Sequence, residues 1–523
     1  MVDPLIYPIG EQDFKFLRET GCLYIDKTSY IKKIISPGSK YYFLARPRRF
    51  GKSLFLSTLR YFFEGERNLF HGLSIDSLNW DWLPYAVLRI DLNVERYDEP
   101  GKLETVLSNL FNEWEIKYGV TFKAEELSSR FRNIIKTAHE KTGRPVVILV
   151  DEYDKPLVSN LDKEDLYEHY RTRLSTVYSN FKSSAEHIRL VFLTGVSRFS
   201  KLSIFSDLNN LNDITFDNEF ADICGITEQE LLNNLQIGIE AFAQKRHMSF
   251  DEALHELKKN YDGYRFSEEG SDIYNPWSLL CCLSKKTIAN YWNQTGIPTL
   301  LGEALKRVDA NLEEILNTKC DIDTLVGMDL TSPNPLALLY QTGYLTIKHY
   351  DDQTKFFTLG VPNREVQEGL AKSLLPYYVT VKRGVTEGVA SELIKNIQLG
   401  EPYKLMKNLQ IFFAGIPYEL KMDNENNFQN AFYILLTLIG AKARAEVSTS
   451  DGRIDLLIET PNYIYVIELK YDGTPQEALK QIDDKQYVRP YLSDHRTIFK
   501  IGVNFSSKTR CIEDFAITEI ILK

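Results

Sequence analysis

Cysteine is scarce: six residues in a chain of 523, at no framework spacing. That excludes a small disulfide scaffold and leads us to expect a reducing, cytoplasmic setting. The adjacent pair Cys281-Cys282 falls in a helical pattern and reads as core. Histidine is also rare, at eight residues, and none pairs with cysteine at metal-ligand spacing. No structural zinc is expected. The longest apolar run, near Phe432 to Ala441, is too short to cross a bilayer. Met1-Val2-Asp3-Pro4 lacks the basic-then-apolar order of a signal peptide. Both features disfavour a transporter or membrane ATPase. A basic excess is missing as well, the net charge being −10. General affinity for a phosphate backbone needs clustered Lys and Arg, so any nucleic-acid site must be local. What is present, 43% hydrophobic and 26% charged residues, is the composition of globular domains. The length calls for about three of them.

The chain is organised around Arg46-Pro47-Arg48-Arg49-Phe50-Gly51-Lys52-Ser53, which follows the apolar run Tyr41–Ala45 and precedes the helical pattern Leu54–Leu59. Strand, tight loop and Gly-Lys-Ser at a helix start form the layout of a phosphate-binding loop. Amides at the helix start and the helix dipole favour phosphate there. Gly51 lets the backbone approach, Lys52 reaches the β- and γ-phosphates, and Ser53 holds Mg²⁺. Arg49, Phe50 and Leu54 complete the expected ATP contacts. Arg46 stands where the usual pattern has its first glycine, and Pro47 removes one amide donor. The plain alternative is a basic turn before an ordinary helix.

A partner motif follows. Val146–Val150 is continuously apolar, as a strand buried on both faces should be, and ends in Asp151-Glu152. An aspartate there orders the magnesium shell, and the adjacent acid polarises the attacking water. A further strand, Ile188–Thr194, leads into Gly195-Val196-Ser197-Arg198. Thr194 is a candidate γ-phosphate sensor. Arg198 either stabilises charge on that phosphate or forms a structural ion pair. Upstream, Asp26 or Thr28 can cap a helix over Ser29–Ile35, and Ala86–Leu92 reads as another strand.

The P-loop, Tyr24–Thr28, Val150–Pro156, Thr194–Phe199 and Phe220–Thr227 together closely resemble bacterial AAA-ATPase-like proteins that carry a restriction-endonuclease-like domain at the C-terminus. The resemblance covers essentially the whole chain. It accounts for Arg46, because that family commonly lacks the first P-loop glycine, and it implies ATP binding.

After Thr227 the spacing becomes helical. Helix over Leu336–Gln341, strands over Tyr344–Ile347 and Phe356–Leu359, and a helix from Asn363 suggest a winged-helix-like module. Little basic charge on its hairpin favours protein contact over DNA.

The last stretch holds a second constellation. Arg453–Ile458 and Tyr463–Lys470 are β-patterned runs. A hairpin centred between Pro461 and Asn462 places Asp455 opposite Glu468, within roughly 5.5 Å at Cβ and close enough to share a metal. Lys470 projects from the same face as Glu468. Glu425 lies on the buried face of an upstream helix, and Gln481 on a downstream one. Glu425, Asp455, Glu468-Leu469-Lys470 and Gln481 together resemble the PD-(D/E)XK nuclease core. That resemblance implies metal-assisted phosphodiester hydrolysis. Asp455, Glu468 and the Leu469 carbonyl would bind Mg²⁺, and Lys470 would position the water. Glu425 would complete the metal site or orient Lys470, and Gln481 would orient substrate or Lys470. The alternatives are a solvated hairpin with chance charges, or a nuclease fold that binds without cutting.

The expected fold is α/β: a P-loop NTPase sandwich over 1–226, a helical lid and winged-helix-like region over 227–400, and a restriction-endonuclease-like domain over 401–523. The expected function is an ATPase coupled to a Mg²⁺-dependent nuclease-like domain acting on DNA or RNA. The alternative is a nucleotide-controlled switch or scaffold whose C-terminal domain holds a partner without cleavage.

Overall fold

A computed structural model describes residues 5–121, 124–161, 163–198, 211–292, 315–316, 318–326, 335–378, 392–414, 425–438, 442–449, 452–493, 495–509 and 511–520. They form two compact units, the first made of the described residues before 295 and of 319–365, the second of the others. The P-loop sheet and the helices that follow it share the first unit. The three modules expected from the sequence are therefore proposed as functional divisions, not as compact bodies.

The first unit is built on a parallel sheet of β1 (Tyr41–Ala45), β2 (Val87–Asp91), β3 (Val146–Asp151), β4 (Ile188–Gly195) and β5 (Asn212–Asp213), in the order β2-β3-β4-β1-β5. β1 and β3 are buried at every residue, which is why their apolar runs have no polar alternation. The helices Lys52–Phe63, Lys102–Tyr118 and Leu127–Thr142 pack against the sheet. Parallel register aligns Ala45 with Gly195 and Asp91 with Asp151. The strand ends that carry the candidate chemistry therefore share one edge, and β4 stands between the P-loop strand and β3. The short pair β6 (Ile226–Thr227) and β7 (Ile273–Tyr274) follows.

Helix Glu228–Arg246 begins where Thr227 and Glu230 form a reciprocal capping box, so the switch to helical spacing has a local cause. Helix Ser29–Ile35 starts as expected but without a side-chain cap. The Thr28 hydroxyl instead donates to Asp26 and accepts the Ile75 amide, and Asp26 accepts the Ser74 amide, tying this segment to a distant loop. Helix Pro335–Thr342 precedes a hairpin of β9 (Thr346–Asp351) and β10 (Phe356–Gly360), to which a third short strand, β8 (Lys319–Cys320), is added.

The second unit contains a five-stranded sheet of β11 (Lys442–Thr449), β12 (Gly452–Glu459), β13 (Tyr463–Tyr471), β14 (Thr497–Ser506) and β15 (Cys511–Ile520) in sequence order. β13 and β14 are parallel and the other pairs antiparallel. The parallel pair needs a crossover, supplied by helix Pro475–Asp484. That helix lies close on the sheet because β14 has Gly502 beneath it: a Cβ there would stand 2.1 Å from the Pro475 carbonyl oxygen.

Candidate functional site

At the P-loop, Gly51 caps helix Lys52–Phe63 with φ 96°, a left-handed conformation glycine adopts freely. An added Cβ would meet nothing within 4 Å, so the requirement here is backbone freedom and not room. Lys52 is 5% exposed, and its Nζ donates to the carbonyls of Arg46 (2.9 Å) and Pro47 (3.1 Å). Its ammonium is thus folded back across the loop. Ser53 and Leu54 are partly buried in the first helical turn. Arg46 is buried: its guanidinium donates to the carbonyls of Ala45, Thr215, Phe220 and Ala221 and lies 4.3 Å from the Phe266 ring centre. A glycine would supply none of this, so the departure at this position gives the loop a side-chain anchor. Phe50 packs edge-on against Tyr264 and Phe266 and accepts the Gly225 amide at its carbonyl. Arg49 lies 4.0 Å over the Trp277 ring. An apolar recess adjoins Gly51 and Leu54, with Tyr24, Ile25, Ile226 and Leu280 among its walls.

Along the same sheet edge, Asp151 is 2% exposed and its Oδ1 accepts the Thr194 hydroxyl at 2.8 Å. Arg89 Nη2 stands 3.8 Å from Asp151 and 3.6 Å from Asp91. Burial, with the nearby Asp151 and Glu152 charges adding to it, pushes the Asp91 carboxyl up. Glu152 is held at φ 49°, an uncommon conformation for a residue with a side chain, of the kind that gathers at active sites. Arg198 forms an ion pair with Asp213, and its amide donates to Gln341 Oε1 at 3.0 Å. The ion-pair alternative is the one this geometry describes.

In the second unit, β12 and β13 pair Leu456 with Ile467 and Glu459 with Ile464. The ladder ends at Leu456 and Ile467, and Asp455 and Glu468 are the next residue on each strand. Asp455 Oδ2 accepts the Leu469 amide at 2.7 Å. Lys470 Nζ donates to Glu468 Oε1 at 3.3 Å and to Gln481 Oε1 at 2.7 Å, and Gln481 Nε2 donates to the Tyr487 hydroxyl at 3.4 Å. Glu468 is 1% exposed. Burial first, then the Asp455 charge, pushes its carboxyl up to about 8, against the opposing effect of Lys470. Its Oε2 is buried without a hydrogen-bond partner. Two facing acids, one with an unpartnered oxygen, suit a hard divalent cation. Among the described residues no group of three or more His, Cys, Asp or Glu is placed to hold a metal, so further ligands would be carbonyls such as that of Leu469, or water. Glu425 opens helix Glu425–Leu438, and its side chain lies outside the described residues.

Residues 8–205 match the model of a family described as a predicted AAA-ATPase, and residues 423–515 match the PD-(D/E)XK nuclease superfamily. An uncharacterized protein in the vnfD 5′ region of Azotobacter chroococcum mcd 1 is 34% identical over 529 residues, which covers 98% of this chain and 99% of that one. The chain belongs to this family of AAA-ATPase-like proteins with a PD-(D/E)XK domain.

Within this AAA-ATPase-like protein, no helix among the described residues is long and apolar enough to cross a membrane. Some groups at the sites carried no assignment from sequence. Asp91 ends β2 beside Asp151, a position visible as one more apolar run closing on an acid. Tyr487 supports Gln481 from beyond its helix, and no local pattern marks it. Asp154, in the same motif as Asp151, is 1% exposed and receives two amides.

Proposed function

We propose that this chain binds and hydrolyses ATP at the P-loop and that its PD-(D/E)XK domain cleaves nucleic acid, DNA or RNA, with a divalent metal. The observation that carries the second half is the buried, unpartnered Oε2 of Glu468 beside Asp455, with Lys470 braced by Gln481. The first half is supported by the shared edge of P-loop, Thr194 and Asp151.

In this reading Lys52 exchanges the carbonyls of Arg46 and Pro47 for the β- and γ-phosphates. The apolar recess beside Gly51 receives the base. Ser53 and Asp151 would hold Mg²⁺ at the nucleotide, and Asp455, Glu468 and the Leu469 carbonyl would hold it at the second centre. Bound Mg²⁺ offsets charge developing on phosphate oxygens and lowers the pKa of attacking water. Thr194 keeps Asp151 in one orientation, and Glu152 accepts the proton of the water that attacks the γ-phosphate. Lys470, fixed by Gln481, orients water or balances charge at the scissile phosphate.

Plasmid DNA and single-stranded RNA incubated with Mg²⁺ or Mn²⁺, with and without ATP, test the proposal. Cleavage by wild type that disappears in Glu468→Ala supports it. No cleavage by wild type under any of these conditions would favour the partner-holding alternative.

A further inference from the structure

The turn after β4 is held in an unusual way. Its consecutive amides at Val196, Ser197 and Arg198 are all taken by buried side-chain oxygens and not by backbone. Asp154 accepts from Val196 at 3.0 Å and from Ser197 at 2.6 Å, and Gln341 accepts from Arg198 at 3.0 Å. Both acceptors are themselves fixed. Asp154 lies at the start of the short helix Lys155–Val158, and Gln341 Nε2 donates to the Leu325 carbonyl at 2.9 Å. Tyr153 tightens the same joint, its hydroxyl donating to the Ser197 carbonyl at 3.0 Å and its amide to the Thr194 carbonyl at 2.9 Å. Gly195 is needed at the centre: a Cβ there would stand 2.6 Å from the Tyr153 ring and 2.7 Å from Asp154 Oδ1.

Asp154 is a costly residue to keep at this place. It is a carboxylate 1% exposed, and burial raises its pKa to about 6, the Ser197 amide opposing that shift. A side chain needed only to fill space would be apolar. The joint lies directly between Glu152, two residues before Asp154, and Thr194, two before Val196. It therefore fixes the end of β3 against the end of β4 at the catalytic edge.

We propose that Asp154 and Gln341 are positioning residues for ATP hydrolysis, clamping the 196–198 turn so that Glu152 and Thr194 keep a fixed relation to the γ-phosphate. This rests on the reading of the P-loop as an ATPase site. Neither residue touches the nucleotide in this reading, so their loss should lower turnover and spare binding.

The test uses the full chain and Asp154→Asn, which removes the charge that holds both amides through Oδ2 and, with the new oxygen in the place of Oδ2, sets an NH₂ where Oδ1 stood 3.3 Å from the Val196 amide. Gln341→Met, which removes the Arg198 acceptor at similar volume, is the companion variant. Turnover is counted per ATP-binding site, with the sites measured by calorimetry, so that a smaller folded fraction does not pass as a slower enzyme. The expected result is kcat lower by about tenfold in Asp154→Asn and by a smaller factor in Gln341→Met, with the Kd for ATP changed by less than about threefold. If Asp154→Asn does not fold, Gln341→Met carries the test. Turnover per site equal to wild type in the variants that fold would overturn the inference, as would a loss confined to ATP affinity. A wild type that does not hydrolyse ATP would overturn the ATPase reading itself, and the clamp with it.

Discussion

The two centres handle buried charge in opposite ways. At the P-loop the buried cations meet backbone carbonyls: Arg46 donates through both terminal nitrogens to those of four residues, its Nε alone staying without a partner, and the Lys52 ammonium caps two. At the C-terminal hairpin Glu468 faces a second acid, keeps one oxygen without a partner, and receives a single lysine that it shares with Gln481. A self-satisfied site folds without its ligand and must break hydrogen bonds to take it. An unsatisfied site stays under electrostatic strain until a cation arrives. The first arrangement suits an exchangeable nucleotide and the second a resident or readily recruited metal.

The largest effect on this contrast is expected from Lys52→Ala, which removes the cation that meets the phosphates. The affinity for ATP should fall by about a hundredfold or more, consistent with loss of a charge-assisted contact of several kcal/mol. Calorimetry reads it, and unchanged affinity would end the P-loop assignment. A smaller effect is expected from Gln481→Ala, which frees Lys470 without deleting it. Cleavage should slow by about tenfold with little change in metal affinity, because Gln481 acts through the lysine. An equal loss of metal affinity would move Gln481 into the metal shell. The smallest effect is expected from Arg198→Ala. The ion pair with Asp213 is partly open to solvent, the side chains being 32% exposed at Arg198 and 19% at Asp213, so it contributes on the order of 1 kcal/mol of stability, and ATP turnover should stay within about threefold of wild type. A large loss of turnover would restore Arg198 as a phosphate contact.

Much of the fold was legible because periodicity and local chemistry agreed. The apolar run Val146–Val150, with no polar alternation, read as a strand buried on both faces, and it forms one buried at every residue. The hairpin register followed from centring the turn between Pro461 and Asn462; burial alone could not have chosen it, because Ile464, Tyr465, Val466 and Ile467 are all buried. Long-range partners left no such trace. Neither Gln341, 143 residues from Arg198, nor Thr215, 169 from Arg46, has a local pattern naming its partner. The carbonyl anchor of Arg46 was hidden for the same reason: sequence shows a missing glycine, not the distant oxygens that make an arginine fit. Thr28 misled because a hydroxyl before a helix normally caps it, whereas here a local bond to Asp26 and a long-range one from the Ile75 amide take it.

If Asp455 and Glu468 form one site that a divalent cation completes, filling that site must displace a proton. Burial and the Asp455 charge raise the Glu468 pKa from the ordinary 4.5 to about 8. The native chain therefore binds this proton more tightly than the unfolded chain. Without metal, the contribution of Glu468 to stability is greatest below about 4.5 and declines as pH rises through about 8. Metal binding has the opposite slope, strengthening with pH up to that value, because the cation must displace the proton. Titrating Mn²⁺ into the full chain at pH 7, in two buffers of different ionisation enthalpy, should show release of about one proton per ion bound. Glu468→Gln should abolish both the tight binding and the release. Mn²⁺ binding that persists undiminished in Glu468→Gln and Asp455→Asn, or that releases no proton in wild type, would contradict the account.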